Sequence, residues 1–210
     1  MRSIAVFREL VKSKVPGPSP SFSIIHLLKA FEVMVKKGPI GRGKLASELK
    51  IGEGATRTLV DKLREAGLVE ISRSGCFLTK KGEELWEDFK SIFPRKIRLN
   101  KSDLTVSDCN VAVQVKGYGN RVKFGIKQRD AAIKVGASGA TTLIYTRNRL
   151  ILPSVSENVS RDFPKTFNQI TRLMRLEDGD AVVIGSADNW EKAEYGALAA
   201  ALSLVEDKNS

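Results

Sequence analysis

The segment from residue 43 to residue 86, GKLASELKIGEGATRTLVDKLREAGLVEISRSGCFLTKKGEELW, constrains the fold more than any other part of this 210-residue chain. Its pattern predicts a helix from about Lys44 to Leu49, a turn, and a second helix from about Ala55 to Ala66. One face of the second helix is expected to be buried, because its residues recur at helical spacing. These residues are Thr56, Leu59, Val60 and Leu63.

A β-hairpin and another helix are predicted directly after these two helices. Gly67 can end the second helix with little strain in the left-handed conformation. Two short strands follow, residues 68–71 and 76–79, joined by the polar turn SRSG. A further helix begins near Lys80 and ends before Pro94. The order is therefore helix, turn, helix, hairpin, helix.

A preceding helix completes this unit. Apolar residues at helical spacing begin after Ser21 or Ser23, either of which can cap the helix, and Gly38-Pro39 ends it. Residues 1–20, which end in the helix-breaking PGPSP, are predicted to form an N-terminal extension with a short amphipathic segment. The compact unit is therefore expected to span residues 21–93.

Positive charge is concentrated in the front half of the chain. Residues 1–101 carry 21 Lys and Arg against 11 Asp and Glu, and residues 102–210 carry 14 against 13. The net charges of +10 and +1 together give the formal charge of +11. Such a division is expected of a nucleic-acid-binding module joined to a nearly neutral partner domain.

The back half has a different pattern. Residues 94–104, PRKIRLNKSDL, are polar and basic and are interpreted as an interdomain linker. Residues 105–207 are predicted to form strands and helices in the order β-α-β-β-α-β-α, with Pro164 at the first position of a helix. This order predicts a two-layer α+β sandwich that follows the N-terminal unit, so the fold class is α+β.

The motif LREAGLVE, followed by a short turn and LTKKGEELW, resembles the strand, wing and helix signature of winged helix-turn-helix transcription regulators. The residues that carry the resemblance are Leu63, Gly67, Leu68, Val69, Leu78, Thr79 and Gly82. The resemblance covers roughly residues 21–93 and implies that the second helix of the turn is a recognition helix. The whole chain is also similar to an uncharacterised archaeal family in which a winged helix precedes a small α+β domain.

Candidate DNA contacts lie on the outward face of the recognition helix and on the wing. Arg57 and Thr58 are predicted in the first turn of this helix, where base edges are read, and Arg can donate two hydrogen bonds to guanine. Arg73, at the wing tip, is a candidate for a minor-groove or phosphate contact. The other candidate phosphate contacts are Arg42, Lys44, Lys80 and Lys81.

Ser186, Asp188 and Asn189 form a candidate ligand site in the back half. They lie between a predicted strand and a helix N-terminus, where free backbone N–H groups can bind an anion or small ligand. Local capping of the helix by Asp188 with Glu191 is the alternative interpretation.

Cysteine and histidine usage argues against metal or nucleophilic chemistry. Cys76 and Cys109 are far apart, and His26 is the only histidine. A structural zinc site usually takes four Cys or His ligands, so neither a metal site nor a cofactor is expected. The chain is not expected to be an enzyme. No apolar run reaches the length of a membrane helix and no signal peptide is recognisable, so a cytoplasmic location and no membrane partner are expected.

The leading hypothesis is a DNA-binding transcriptional regulator. Its winged helix docks on duplex DNA, and its C-terminal domain forms a homodimer, senses a small-molecule effector, or does both. The alternative is a protein- or RNA-interaction module that uses the winged helix as a docking surface. The recognition helix favours this alternative, because Arg57, Lys62 and Arg64 are balanced by three acidic residues. An enzyme with its active site in the C-terminal domain is the third hypothesis.

Overall fold

The computed structural model describes residues 2–12 and 21–206. The chain divides into two compact units, Met1–Phe89 and Lys90–Ser210. Within the described ranges, no helix combines the length and the apolar character that crossing a membrane requires.

The N-terminal unit contains a winged helix preceded by one further helix. Its two strands form an antiparallel hairpin that lies between the fourth and fifth helices of the sequence. The elements are α1 (Arg2–Val11), α2 (Ile24–Lys37), α3 (Arg42–Leu49), α4 (Glu53–Glu65), β1 (Val69–Ser72), β2 (Gly75–Leu78) and α5 (Lys80–Ile92). The predicted order of helix, turn, helix, hairpin and helix is confirmed.

The start of the chain is part of this unit and not an appendage to it. Phe7 of α1 is fully buried and meets the ring of Phe31 edge to face at a centroid distance of 5.0 Å. It also meets Phe89 of α5 at 6.3 Å. Residues 2–12 of the predicted extension therefore supply core aromatic surface, and such pairs stabilise a fold beyond the area they bury. The predicted PGPSP linker lies outside the described residues.

The start of α2 explains the single histidine of the chain. Ser23 is the N-cap, and its backbone N–H donates to Nδ1 of His26 at 3.0 Å. This is the reciprocal part of a capping box, in which the residue at the third helical position reaches back to the N-cap. The helix ends at Gly38, whose φ of 70° places it in the region that favours glycine. His26 thus has a structural role at the helix N-terminus.

The C-terminal unit is built on a five-stranded antiparallel sheet. The elements are β3 (Lys96–Leu99), β4 (Cys109–Val115), a 3-10 turn (Gly119–Arg121), α6 (Ile126–Lys134), β5 (Gly139–Thr146), β6 (Arg149–Ile151), α7 (Val159–Asp162), α8 (Pro164–Leu173), β7 (Ala181–Ala187) and α9 (Trp190–Glu206). The strand order in the sheet is β3-β4-β7-β5-β6, and helices connect β4 to β5 and β6 to β7. The predicted α+β class is confirmed.

Helices cover both faces of the central strand β7. Ile184 lies in a buried cluster with Ile170 of α8 and Val159 of α7. The next residue, Gly185, lies against α9, since a Cβ atom added to it would stand 2.3 Å from the backbone nitrogen of Ala197. Successive strand residues point to opposite faces. The predicted two-layer sandwich has one layer of helices on the sheet. The structure adds a second layer of helices, formed by α7 and α8, on the other face.

The segment interpreted as a linker, residues 94–104, contains the edge strand β3. Ile97 and Leu99 pair with Ala112 and Asn110 of β4, and Leu99 is buried in the core of the C-terminal unit. The segment reads as a linker because its basic residues, which alternate with these two apolar ones, dominate the composition. An edge strand needs only one apolar face, so the alternation of Ile97 and Leu99 with basic residues is the sequence feature that indicates this strand.

Candidate nucleic-acid interface

The outward face of α4 carries the base-contact candidates. Arg57 and Thr58 are exposed, while the four residues predicted to be buried, Thr56, Leu59, Val60 and Leu63, form the inner face. The helix begins at Glu53, two residues earlier than predicted, so Arg57 and Thr58 lie in its second turn and not in its first. The reason is that Gly52 serves as N-cap with extended backbone (φ −60°, ψ 153°) and an acidic residue suits the first turn.

The beginnings of α3 and α4 border a common cavity of about 590 Å³. Its lining residues are Arg42, Gly43, Glu53, Gly54 and Arg57. Both helices have glycine N-caps, Gly41 and Gly52, which offer no side-chain acceptor to the first N–H groups. Two arginines and two helix N-termini favour phosphate oxygens at this cavity, whereas the carboxylate of Glu53 opposes them.

The wing is anchored near its tip to the segment before α3. Ile40 exchanges two backbone hydrogen bonds with Cys76 of β2, at 2.9 and 2.8 Å. Gly75 approaches the same segment so closely that a Cβ atom would stand 2.4 Å from the carbonyl carbon of Ile40. Arg73 lies in the exposed turn just beyond this anchor. The wing-tip arginine is therefore held at a defined place relative to the start of α3.

Three further cations predicted to contact phosphate differ in their surroundings. Lys44 and Lys80 are exposed, as a phosphate contact requires. The ammonium group of Lys81, in contrast, donates to the backbone oxygen of Ala66 at 2.7 Å. A lysine at this place satisfies a carbonyl group at the end of a helix. Lys81 thus stabilises the end of α4, a role that the sequence did not indicate.

The glycines and threonine of the winged-helix signature have steric and hydrogen-bonding roles. Gly67 has a φ of 70° at the end of α4. Oγ1 of Thr79 donates to the oxygen of Gly67 at 2.7 Å and accepts from the N–H of Gly82 at 3.1 Å. A Cβ atom on Gly82 would stand only 2.2 Å from the oxygen of Leu68. The signature therefore encodes the close packing of α5 on the chain that follows the recognition helix.

The three residues predicted to bind a ligand in the C-terminal unit form hydrogen bonds with other protein groups. Ser186 is fully buried and donates to Oδ1 of Asn110 at 2.6 Å. Asn189 caps α9, because its Oδ1 accepts from the N–H of Lys192 at 3.0 Å. Asp188 accepts from the Lys192 ammonium group at 3.0 Å, and this hydrogen bond lowers the pKa of the Asp188 carboxyl group. The structure does not bring the three side chains together at one accessible point.

Two features of α4 are not predicted from the sequence. The predicted turn includes Glu53, although the pair Gly52-Glu53 carries the signal of an N-cap followed by an acidic first turn. Lys62 enters the sequence argument only through the charge balance of the helix. In the structure its ammonium group donates to the backbone oxygens of Leu10 and Lys12, at 2.9 and 2.8 Å. Nothing in the local pattern around Lys62 indicates these partners, which lie about fifty residues away.

These features define the fold of the N-terminal unit as a winged helix, and comparison with known proteins shows which families the two units resemble. Residues 24–93 match the family described as the CggR N-terminal DNA binding domain. Residues 106–204 match the family described as a domain of unknown function (DUF4443). The resemblance to winged-helix regulators noted from the sequence is confirmed.

Solved structures also resemble the chain, and the first described here is similar over most of its length. It is a hypothetical protein from Pyrococcus horikoshii OT3, with 29% sequence identity and a TM-score of 0.67 over 88% of this chain and 95% of that one. A MarR family protein from Bacillus stearothermophilus is 22% identical over 43% of this chain and 62% of that one, with a TM-score of 0.30, which is too slight a likeness to bear on fold or function. No curated protein matches the chain at a significant level.

Proposed function

We propose that this protein is a transcriptional regulator whose recognition helix, α4, docks in the major groove of duplex DNA. The observation that carries the proposal is the exposed Arg57, which shares a cavity with Arg42 at the start of two helices. Helix-turn-helix proteins read base edges with the N-terminal part of the recognition helix, and the preceding helix contacts the DNA backbone. In this pose Arg57 reaches a base edge and Arg42 reaches a phosphate group.

The wing extends the same surface. Arg73 lies at the exposed hairpin tip, and Lys44 is exposed on α3. Both side chains supply positive charge that releases counterions from DNA on binding. The front half of the chain, with its net charge of +10, provides the long-range attraction.

The C-terminal domain completes the proposed regulator. In this proposal it joins two copies into a homodimer, which doubles the base contacts and fixes the spacing of half-sites, or it binds a small-molecule effector. An effector regulates only if DNA affinity differs between the free and the bound protein. The proposal includes a cytoplasmic location and no catalytic activity.

The proposal is tested by fluorescence anisotropy of a labelled random-sequence duplex over a salt series. Wild-type protein is compared with Arg57→Ala and Arg73→Ala, and with Arg172→Ala as a control that removes one exposed charge from the C-terminal unit. We expect a steep log–log salt dependence, weaker binding by both N-terminal variants, and a slope reduced by about one where a phosphate contact is lost. The control should bind like wild type.

Absence of salt-sensitive binding at low ionic strength would contradict the proposal. Retention of a structured RNA or a protein partner by the same preparation would then favour the interaction module. Equal weakening by Arg172→Ala would show that net charge alone, and not the surface around α4, governs the binding.

A further inference from the structure

Most charges of the recognition helix have partners inside the protein, and two do not. Arg64 pairs with Asp61 at 3.4 Å, and Lys62 is bonded to the end of α1. Among the residues that the structure describes, the carboxylate of Glu53 and the guanidinium group of Arg57 have no ion-pair or hydrogen-bond partner. The net charge of α4 is therefore near zero, although one of its acidic residues, Glu53, and one of its basic residues, Arg57, have no partner in the described ranges.

These two groups lie side by side. Glu53 and Arg57 are four residues apart on α4, a spacing that places them on one face of the helix about one turn apart. Both are exposed and line the same cavity. Oε1 of Glu53 lies 3.5 Å from the point where a Cβ atom on Gly43 would stand, so the carboxylate lies beside the first turn of α3. The carboxylate is thus carried by α4 and lies beside α3.

A carboxylate on a DNA-facing surface needs a specific donor. It can only accept hydrogen bonds, and phosphate groups repel it. The major groove offers amino donors on cytosine (N4) and adenine (N6), but adenine places the N7 acceptor beside its donor, where a carboxylate would meet like charge. Cytosine has no such acceptor. Glu53 therefore suits cytosine, just as Arg57 suits the O6 and N7 acceptors of guanine.

We infer that Glu53 is a specificity-determining residue, which accepts a hydrogen bond from the N4 amino group of cytosine while the neighbouring Arg57 contacts guanine. The inference rests on the proposed docking of α4 in the major groove. The same carboxylate weakens binding to all other duplexes, because there it approaches DNA without a donor. Glu53 thus increases discrimination at the expense of non-specific affinity.

The experiment begins with selection of bound duplexes from a randomised library by the full-length wild-type protein. The affinities of wild type, Glu53→Gln and Glu83→Gln for the selected duplex and for random duplex are then measured by fluorescence anisotropy. Glu83 is a matched control, because it is an exposed acid in the first turn of a helix that is not the recognition helix. Circular dichroism confirms that each variant is folded.

The selected duplexes should contain a C·G pair, and Glu53→Gln should bind them about tenfold more weakly. The same variant should bind random duplex more tightly, and repeated selection with it should favour adenine at the cytosine position, because glutamine pairs with N6 and N7 of adenine. A merely structural role of Glu53 would lower both affinities and would not change the preferred base.

Three results would overturn the inference. An unchanged base preference for Glu53→Gln, with salt-dependent binding intact in all variants, rejects the role of Glu53 alone and leaves the proposed function standing. If Glu83→Gln changed the affinities for selected and random duplex as much as Glu53→Gln does, the role of Glu53 would also be rejected. The effect would then come from the loss of one negative charge anywhere on the protein. Lack of binding to any duplex by wild type would reject the proposed function and the inference together.

Discussion

The ammonium group of Lys62 donates a hydrogen bond to the backbone oxygen of Leu10, at 2.9 Å, and so ties the recognition helix to the end of α1. The same group lies 5.8 Å from the ring centroid of Phe22. Carbonyl groups at a helix C-terminus lack intrahelical partners and carry partial negative charge. Lys62 supplies a charged donor to them, which explains why this cation of α4 is directed toward the end of α1.

Replacement of Lys62 by methionine should lower stability without changing how DNA binding depends on salt. Loss of hydrogen bonds from a half-buried charged donor should reduce the free energy of unfolding by about 1 kcal/mol. Lys44→Met is the counterpart, because Lys44 is exposed. It should leave stability nearly unchanged and reduce the salt slope by about one. Urea unfolding and anisotropy titrations test both, and a slope reduction for Lys62→Met would assign this lysine to the DNA contact instead.

Gly82→Ala should destabilise the N-terminal unit. The added Cβ atom would stand 2.2 Å from the oxygen of Leu68, so α5 must shift away from the chain that follows α4. Such overpacking typically reduces the free energy of unfolding by about 1–3 kcal/mol. Urea denaturation followed by circular dichroism measures this change.

Gly43→Ala, in contrast, should increase the stability of the N-terminal unit. Gly43 lies within α3, and the nearest atom to an added Cβ is Oε1 of Glu53 at an ordinary contact distance of 3.5 Å. Alanine is favoured over glycine in a helix by about 1 kcal/mol, so stability should rise in the same urea assay. Equal stability of Gly82→Ala and wild type, or a loss for Gly43→Ala, would contradict the packing described for these helices.

The two cysteines should differ in reactivity. Burial raises the pKa of the Cys76 thiol, and only the thiolate reacts with disulfide reagents. Cys109 is partly exposed at the start of β4. Native protein should therefore show one fast and one slow thiol in a chromogenic disulfide assay at pH 8. Cys109→Ser should remove the fast phase and Cys76→Ser the slow one, whereas a fast phase that survives in Cys109→Ser would place Cys76 at the surface.

Alkaline pH should destabilise the fold through Tyr195 of α9. Burial, with Glu191 and Glu194 nearby, raises the pKa of Tyr195 to about 12, above the value of about 10 for an unfolded chain. The folded state therefore retains a proton that the unfolded state releases. The stabilisation is complete below about pH 10 and is lost as the pH rises toward 12. Urea unfolding at pH 9 and 11 should show a larger loss for wild type than for Tyr195→Phe, and equal losses would contradict this assignment.

Local patterns predicted much of the secondary structure. The two consecutive strands in the order predicted for residues 105–207 form the hairpin of β5 and β6, which turns at Arg147 and Asn148, both with positive φ. Pro164 begins α8, also as expected. Each of these features depends on residues that are neighbours in sequence, because turns and first helical turns are stabilised by short-range conformational preferences.

The candidate interface was only partly predictable. Arg57 and Arg73 could be named from their places on a helix face and at a hairpin tip. Whether a charged side chain is free to meet DNA depends on partners distant in sequence, as Lys62 and Lys81 demonstrate. The sequence includes Glu53 only in the charge balance of the recognition helix, because the predicted helix begins two residues after it.

The sequence by itself determined the winged-helix order, the buried face of α4 and the α+β class, because periodic apolar residues and turn-forming glycines act over a few residues. Only the tertiary structure decided that β3 is an edge strand and that Phe7 belongs to the N-terminal core. It also separated the charges of α4 into partnered and unpartnered groups. Strand pairing and charge pairing join residues that are far apart in the chain, and the free energy of such contacts depends on the folded arrangement as a whole.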